Sequence, residues 1–343
     1  MTRIYLGRHV YGAAAVAFGV ITVVWHDFNG WQQIRALGNV PHREVLVYLA
    51  AAIEVLGGLA IQWRRTARAG AFALGAIYLV FALLWVPDIV ATPQIYDRWG
   101  NFFEQFSLVS GALIVYGSVV YGSAVFAPAV HASTGQHNSA RSAKVARIGY
   151  VCFGICVVSF TLEQLFYLSG TAAFVPKWIP PGQMFWAITT TVALALAAIA
   201  LLSGRCALPA SRLLTAMLIG FGLLVWLPAP FADPHKLFNW AGNAQNLAIT
   251  GAAWIVADFL SQNRSASSQA SLAAGGWKNP PGFAPADSRC GCRYMSRGGV
   301  GNPPSNCKSR QYYKKTRDRQ RAMRVPFDSC QDRRRRVGAR RIA

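Results

Sequence analysis

Eight long apolar runs, separated by short polar connectors, constrain this 343-residue chain more than any other feature. The runs lie at about 10–26, 45–63, 69–86, 102–121, 148–168, 184–202, 210–227 and 244–260. A helix needs about 20 mainly apolar residues to cross the hydrocarbon core of a bilayer, and each run is close to that length. Only 14% of the residues are charged, against about 25% in soluble domains. The sequence therefore predicts an all-α, polytopic transmembrane bundle of eight helices.

The charges of the connectors predict how these helices are oriented. The connectors on the amino-terminal side of the membrane, together with Arg264, contain eleven lysine and arginine residues, whereas the opposite connectors contain five. Cytoplasmic loops of membrane proteins are enriched in lysine and arginine. We therefore expect a multi-pass protein of the cell inner membrane with both termini in the cytoplasm and the lipid bilayer as its immediate partner.

The last four runs repeat the first four. The segment "AVAFGVITVVW" at 15–25 is similar to "YVCFGICVVSF" at 150–160, and "GNFFEQFSLVSGALIV" at 100–115 is similar to "GNAQNLAITGAAWIV" at 242–256. The offsets between matching segments lie between 135 and 142 residues, which one internal duplication explains. Because each copy contains an even number of helices, we expect two parallel four-helix repeats with the same orientation.

These observations divide the chain into four predicted segments. The first four-helix transmembrane module occupies 1–126, a cytoplasmic linker 127–147, the second module 148–262, and a basic cytoplasmic tail 263–343. Residues 264–343 contain 19 Lys and Arg against 4 Asp and Glu and show no apolar period. Disordered segments have this composition, and so does an out-of-frame extension of coding sequence, so the role of the tail stays open. Nucleic acid is not an expected partner.

Each module ends its third run on a tryptophan that is followed closely by a proline, at Trp85 and Trp226. In the predicted topology both side chains lie at the outer surface, where an indole ring sits at the level of the headgroups and the proline stops the helix. The pattern favours anchoring at the membrane interface. The alternative is an aromatic-lined outer vestibule for a lipid or a quinone headgroup, with Trp85 and Trp226 as its cofactor-binding candidates.

The spacing of small and apolar residues resembles that of the DoxX-like membrane proteins, whose unit is a four-helix transmembrane module. Residues 174–228 carry the resemblance in the second copy, and "EVLGGLAI" at 54–61 is similar to the family's second helix. The resemblance implies an accessory subunit linked to quinone or thiol chemistry, with other membrane or redox proteins as partners. It implies no catalytic set beyond the match of Glu54. The second copy departs from it, with threonines at 189–191.

Three carboxylates in or beside the runs are candidates for chemistry. Glu54 lies near the middle of the second run, where a charge costs roughly 2.5–3.5 kcal/mol on insertion scales, so it is expected to face the bundle interior. An interhelical hydrogen bond, typically worth about 0.6 kcal/mol, is the structural alternative to a functional role. Glu104 begins the fourth run and Glu163 ends the fifth. For Glu104, stabilisation of the helix amino terminus is the favoured interpretation.

Histidines and cysteines give weaker signals. A haem in a helix bundle needs two histidines at matching depth, and His26 and His42 are the candidate pair because both lie near the outer surface. Exposed histidines at loop ends are common, so haem is not expected. No CxxC motif occurs, and no metal site is predicted.

Two functions remain open at this level. No dinucleotide, phosphate-loop, zinc-protease or nucleophile-elbow motif is present, so whether the chain is an enzyme is undetermined. The leading hypothesis is an accessory or redox-linked membrane subunit. The alternative is a small-molecule or lipid transporter that uses the interface between the two modules. The oligomeric state is not determined by the sequence.

Overall fold

The computed structural model describes the backbone of residues 6–27, 32, 42–124 and 132–275, with side chains for all of these except 119–124, 132–139 and 270–275. Over these residues the chain is helical and contains no strand. The predicted all-α class is therefore confirmed. Most of the first outer connector and residues 276–343 of the predicted tail lie outside the described part.

The described helices follow the eight apolar runs, with short helices in several of the connectors. In chain order they are α1 (Leu6–Trp25), α2 (Arg43–Ala60), α3 (Ala67–Leu83), α4 (Val86–Ala91), α5 (Tyr96–Ala124), α6 (Ala132–Phe166), α7 (Leu168–Phe174), α8 (Gln183–Ser203), α9 (Ala207–Phe221), α10 (Ala229–Ala232) and α11 (Leu237–Gly275). A π-helical turn, Gly222–Trp226, extends α9.

Five helical segments are long and apolar enough to cross a membrane, namely Leu6–Trp25, Ala67–Ala91, Ala140–Phe166, Gln183–Ser203 and Ala207–Ala232. The outer surface of the bundle has matching chemistry. On α8, Ile188, Val192, Leu196 and Ile199 are each between 48% and 65% exposed, and their spacing of three or four residues places them on one side of the helix. A continuous aliphatic face suits hydrocarbon and not water. The chain is an integral, multi-pass membrane protein.

The long helices pack as a closed ring that one central pair crosses. Neighbours around the ring are α1 and α2, α2 and α3, α3 and α5, α5 and α6, α6 and α8, α8 and α9, α9 and α11, and finally α11 and α1. The central pair is α5 and α11. The contacts within the set α1, α2, α3 and α5 are thus matched by those within α6, α8, α9 and α11.

The connections alternate between two ends of this ring. The short helices α4, α7 and α10 lie at the end where α1 finishes, which we call the short-helix end. There the rings of Trp25 and Trp240 lie 6.2 Å apart. The opposite end, where α1 begins, we call the terminal end. There Arg68 donates a hydrogen bond of 2.9 Å to the hydroxyl of Tyr116.

Glycines allow the helix backbones to approach closely. A Cβ atom at Gly251 of α11 would lie 2.6 Å from the backbone N of Tyr11 on α1. A Cβ atom at Gly58 of α2 would lie 2.6 Å from the carbonyl O of Gly12 on α1. Small residues are common at such interfaces in membranes, because lipid tails leave no hydrophobic driving force to bring helices together. The α1 backbone is therefore packed between α2 and α11 with no space for added atoms.

Two helices continue into the segments that the sequence predicted as linker and tail. Because α6 begins at Ala132, residues 132–147 of the predicted linker are helical, and because α11 continues to Gly275, so are residues 263–275 of the predicted tail. Neither segment has an apolar period, which is why the sequence pattern did not indicate a helix. Extension of an existing helix avoids the cost of nucleation, so residues of ordinary propensity continue it.

We expect Gly251→Ala to destabilise the bundle by about 1–3 kcal/mol, because the added methyl group would overlap the α1 backbone. Gly220→Ala in α9 is the matched control, since a Cβ atom there has no neighbouring atom within 4 Å. Thermal unfolding in a mild detergent measures both variants. Equal midpoints for the two variants would contradict the close α1–α11 contact.

Candidate functional site

Glu54 lies inside the bundle with no exposed surface, beside an equally buried Gln32. Nε2 of Gln32 donates a hydrogen bond to Oε1 of Glu54, while Oε2 of Glu54 has no hydrogen-bond partner among the described residues. Tyr11 and Tyr78 pack edge to face, with ring centroids 6.2 Å apart, and both are near enough to Glu54 to interact with it electrostatically. The hydroxyl of Tyr11 donates 2.7 Å to the carbonyl O of Leu108 on α5.

The threonines at 189–191, in the region that corresponds to Glu54 in the predicted repeat, lie on α8. The hydroxyl of Thr191 has two acceptors within reach of its one proton, Oε1 of Gln164 on α6 at 3.0 Å and the carbonyl O of Ala187 at 2.8 Å. In the first set the amide of Gln32 lies against α2, and in the second set the amide of Gln164 lies against α8. Only the first half places a carboxylate there.

A second polar site is a pocket of about 360 Å³ at the short-helix end, between α5 and the elements α6, α7, α8 and α9 with its π-helical turn. Its lining combines carboxylate, amide and hydroxyl groups with aromatic rings. The lining residues are Asp97, Glu104, Phe160, Glu163, Gln164, Tyr167, Gly170, Thr171, Phe174, Val175, Thr190, Phe221, Val225 and Trp226.

Three carboxylates converge on this pocket from two helices. Asp97 and Glu104 come from α5 and Glu163 from α6, and negative charges on these groups would repel one another. Gly100 makes room for them, because a Cβ atom there would lie 2.6 Å from Oε1 of Glu163. No lysine, arginine or histidine is among the lining residues, so the carboxyl groups of the lining have no basic side chain beside them in the cavity.

The position of Trp226 in the pocket lining depends on an irregularity in α9. The backbone N of Leu227 donates 2.7 Å to the carbonyl O of Gly222, five residues earlier, which is the π-helical pattern. Nδ2 of Asn246 on α11 donates 3.1 Å to the carbonyl O of Leu218, at the start of this irregular region. The turn brings Trp226 into the lining. Such turns within α-helices are frequent at functional sites.

Rings on both sides hold Trp226 in position. Its ring centroid lies 6.0 Å from that of Phe174 on α7 and 5.8 Å from that of Phe238 on α11. The ring also covers Gly242, where a Cβ atom would overlap it. Trp226 is therefore part of a packed aromatic surface.

A buried pair of glutamines links the pocket to the centre of the bundle. Nε2 of Gln105 on α5 donates 3.2 Å to Oε1 of Gln245 on α11. Nε2 of Gln245 in turn donates 3.3 Å to Oε2 of Glu104. The side chains of both glutamines are almost fully buried where α5 and α11 meet. Glu104 is thus oriented by the helix that belongs to the other set.

The structure brings together three of the residues that the sequence indicated and separates the others. Glu104, Glu163 and Trp226 line the pocket, whereas Glu54 and Trp85 do not. Trp85 is only 4% exposed and lies at the start of α4. The matching tryptophans of the two halves therefore have different surroundings.

The two histidine candidates lie at the short-helix end. His26 is exposed, and its Nδ1 lies 2.7 Å from the hydroxyl of Tyr48. His42 is exposed at the start of α2. Within the described ranges, no group of three or more His, Cys, Asp or Glu side chains is placed to hold a metal ion.

Several residues of both sites were not singled out from the sequence. Tyr11, Tyr78 and Gln32 surround Glu54, and Gln164 and Tyr167 line the pocket. One sequence signal was available: the dipeptide Glu-Gln occurs at 104–105 and again at 163–164, inside otherwise apolar runs. The other residues belong to common types, and only their positions in the bundle distinguish them.

Comparison with known protein families, with curated proteins and with solved structures gives no match for this chain.

We expect Glu54→Ala to lower the free energy of unfolding by about 1–3 kcal/mol, because a buried amide loses its acceptor. Glu54→Gln retains an oxygen at the same position, so its free energy of unfolding is expected to decrease less. Thr191→Ala is the matched control in the second half. Thermal unfolding in detergent ranks the stabilities of these variants. A Glu54→Ala unfolding midpoint equal to that of the wild type would contradict the structural role of this carboxylate.

Proposed function

We propose that the chain is a membrane-embedded binding protein whose pocket between α5 and α6–α9 holds an amphipathic small molecule. The observation that carries this proposal is the pocket itself. Its volume of about 360 Å³ lies within the range of roughly 300–1,000 Å³ that small-molecule sites occupy. Its lining combines aromatic rings with carboxyl, amide and hydroxyl groups. A site of this kind, at the end of membrane-crossing helices, suits a molecule with both apolar and polar parts.

We also propose that the long helices are two parallel four-helix repeats, and that the pocket lies at their interface. The matched helix contacts within the two sets support the duplication. So does a repeated detail: Nε1 of Trp99 and of Trp240 each donate to the carbonyl O of the proline six residues earlier, Pro93 at 3.2 Å and Pro234 at 3.0 Å. Transporters with internal repeats bind substrates at the repeat interface. The proposed binding is the step that a small-molecule or lipid transporter requires.

A redox-linked accessory subunit of the DoxX-like type is the second candidate, with a quinone in the same pocket. The hydroxyl groups of Tyr167 and Thr190 in the lining favour it, because quinone carbonyls accept hydrogen bonds and quinone rings stack on aromatic side chains. Extraction of the purified protein into organic solvent, followed by ultraviolet-visible spectroscopy, tests this candidate. A quinone spectrum would support it, and its absence would leave the first candidate. A haem band in the intact protein would contradict both assignments of the pocket.

For the topology, we propose that α2, α5 and α11 cross the membrane together with the five apolar segments. Each of them runs between the same two ends of the ring as its neighbours. We further propose that the terminal end faces the cytoplasm of a cell with an inner membrane, which the lysine and arginine residues of its connectors support.

Cys206 tests this orientation, because it is exposed in the turn between α8 and α9 at the terminal end. In a chain whose tail cysteines (Cys290, Cys292, Cys307 and Cys330) are changed to serine, a membrane-impermeant maleimide should label Cys206 in inverted vesicles and not in spheroplasts. Cys206→Ser is the background control. Labelling in spheroplasts alone would reverse the proposed orientation.

Gly170→Trp tests the pocket. Gly170 lines it, and a Cβ atom there meets only the Cβ atom of Tyr167, at 3.9 Å. A tryptophan should therefore occupy the cavity without disturbing the backbone. Native mass spectrometry of the detergent-solubilised protein is expected to show a bound small molecule on the wild type and on the control Gly220→Trp, and none on Gly170→Trp. Absence of any bound molecule from the wild type, or its retention in Gly170→Trp, would contradict the proposal.

A further inference from the structure

We propose that the ligand of this pocket is an organic cation, whose charged group lies between Glu104 and Glu163 and whose apolar part contacts the aromatic rings of the lining. This inference rests on the proposed binding function and names the chemical class of its ligand. It is carried by the position of the carboxylates, by the absence of a described basic side chain beside them and by the aromatic rings that line the same cavity.

The first step is the absence of a countercharge within the described part of the pocket. The carboxylate of Glu104 receives one hydrogen bond, from the neutral amide of Gln245. The carboxylate of Glu163 receives no hydrogen bond from a described residue, and no basic side chain lines the cavity. Arg98, the base next to Asp97 in the chain, lies 3.5 Å from Asp88 instead. A charge away from water is stabilised by a partner of opposite sign, and a bound cation would supply one here.

The second step is the way in which the packing holds Glu163 against α5. Its carboxylate fills the space that a side chain at position 100 would occupy, and Gly100 leaves that space open. The acidic groups of α5 and α6 are thereby brought together in one cavity, where negative charges on them would repel one another. Repulsion of this kind within a protein is relieved when a positive group binds between the charges.

The third step is the aromatic part of the lining, which selects the kind of cation. Phe160, Phe174 and Trp226 line the cavity together with Tyr167. Aromatic faces attract organic cations through their quadrupoles, and they recognise quaternary ammonium groups in particular. A small metal ion would instead need several oxygen ligands around it, and the described residues offer no such group. An anionic ligand would be repelled by the carboxylates.

A pair of isosteric probes separates charge from shape. Benzyltrimethylammonium carries a positive nitrogen where neopentylbenzene carries a neutral carbon, and the two molecules are otherwise nearly identical. Equilibrium dialysis of the full-length protein in a non-ionic detergent measures their binding. Binding to Gly170→Trp, in which the pocket is filled, gives the partition into the micelle and is subtracted.

We expect the wild type to bind the cation at least about tenfold more tightly than its neutral isostere, as loss of one partner of a buried charge pair commonly costs that much. Glu104→Gln and Glu163→Gln should each remove most of this preference. Gly100→Ala should weaken it by displacing the Glu163 carboxylate. Asp233→Asn is the matched control, a carboxylate of the same end that pairs with Lys236 at 2.9 Å and does not line the pocket. The preference should also decrease as the pH is lowered, because protonated carboxyl groups lose their charge.

The outcomes distinguish the two levels of the proposal. Equal binding of both probes to the wild type would overturn the cation assignment and leave the binding pocket in place. Binding of neither probe above the level of Gly170→Trp would overturn both. A cation preference that survives in the Glu104→Gln and Glu163→Gln variants would also overturn the assignment.

The same ammonium chemistry occurs in free amines and in choline lipids, and a competition arm separates these sources. Displacement of benzyltrimethylammonium by dihexanoyl phosphatidylcholine, but not by dihexanoyl phosphatidylglycerol, would assign the site to a lipid headgroup. Displacement by choline alone would assign it to a soluble cation.

Discussion

Close contact between helix backbones is the constraint on which the rest of this structure depends. Within lipid, helices gain nothing by hiding apolar side chains from one another, so association relies on van der Waals packing and on hydrogen bonds. The chain meets this requirement with glycine at the crossings of α1 with α2 and α11, where a single methyl group would overlap a neighbouring backbone. This arrangement leaves the large aliphatic residues on the outside. It also brings polar side chains from different helices near enough to interact within the bundle.

Those buried polar groups distinguish the two halves of the ring. The first half contains a carboxylate, Glu54, with a glutamine and two tyrosines around it, whereas the corresponding region of the second half contains Thr191 and a glutamine. At the short-helix end, the carboxylates of α5 and α6 meet in a cavity that α7, α8 and α9 complete. The two sets of helices therefore share the same order of contacts but contain different polar groups.

The pocket combines contributions from both sets of helices, and this is what makes it a functional candidate. Glu104 belongs to α5 but accepts its hydrogen bond from Gln245 of α11, and Trp226 is positioned by a π-helical turn that Asn246 of α11 supports. A change in the relative position of α5 and α11 would therefore move both Glu104 and Trp226 in the cavity. Acidic groups and aromatic rings line the same cavity.

The sequence by itself determined the all-α class, the membrane environment and the approximate positions of the long helices. Hydrocarbon thickness sets the length of an apolar run, and that length can be read without knowledge of packing. The sequence also indicated Glu54, Glu104 and Glu163, because carboxylates are rare in such apolar runs. Only the tertiary structure decided that Glu104 and Glu163 share a pocket, that Glu54 lies apart from it, and that Trp226 lines it while Trp85 is buried elsewhere. These outcomes depend on how each helix is rotated about its axis and on a π-helical turn of five residues. Both are set by contacts between helices that lie far apart in the chain, and no local pattern of residues records those contacts.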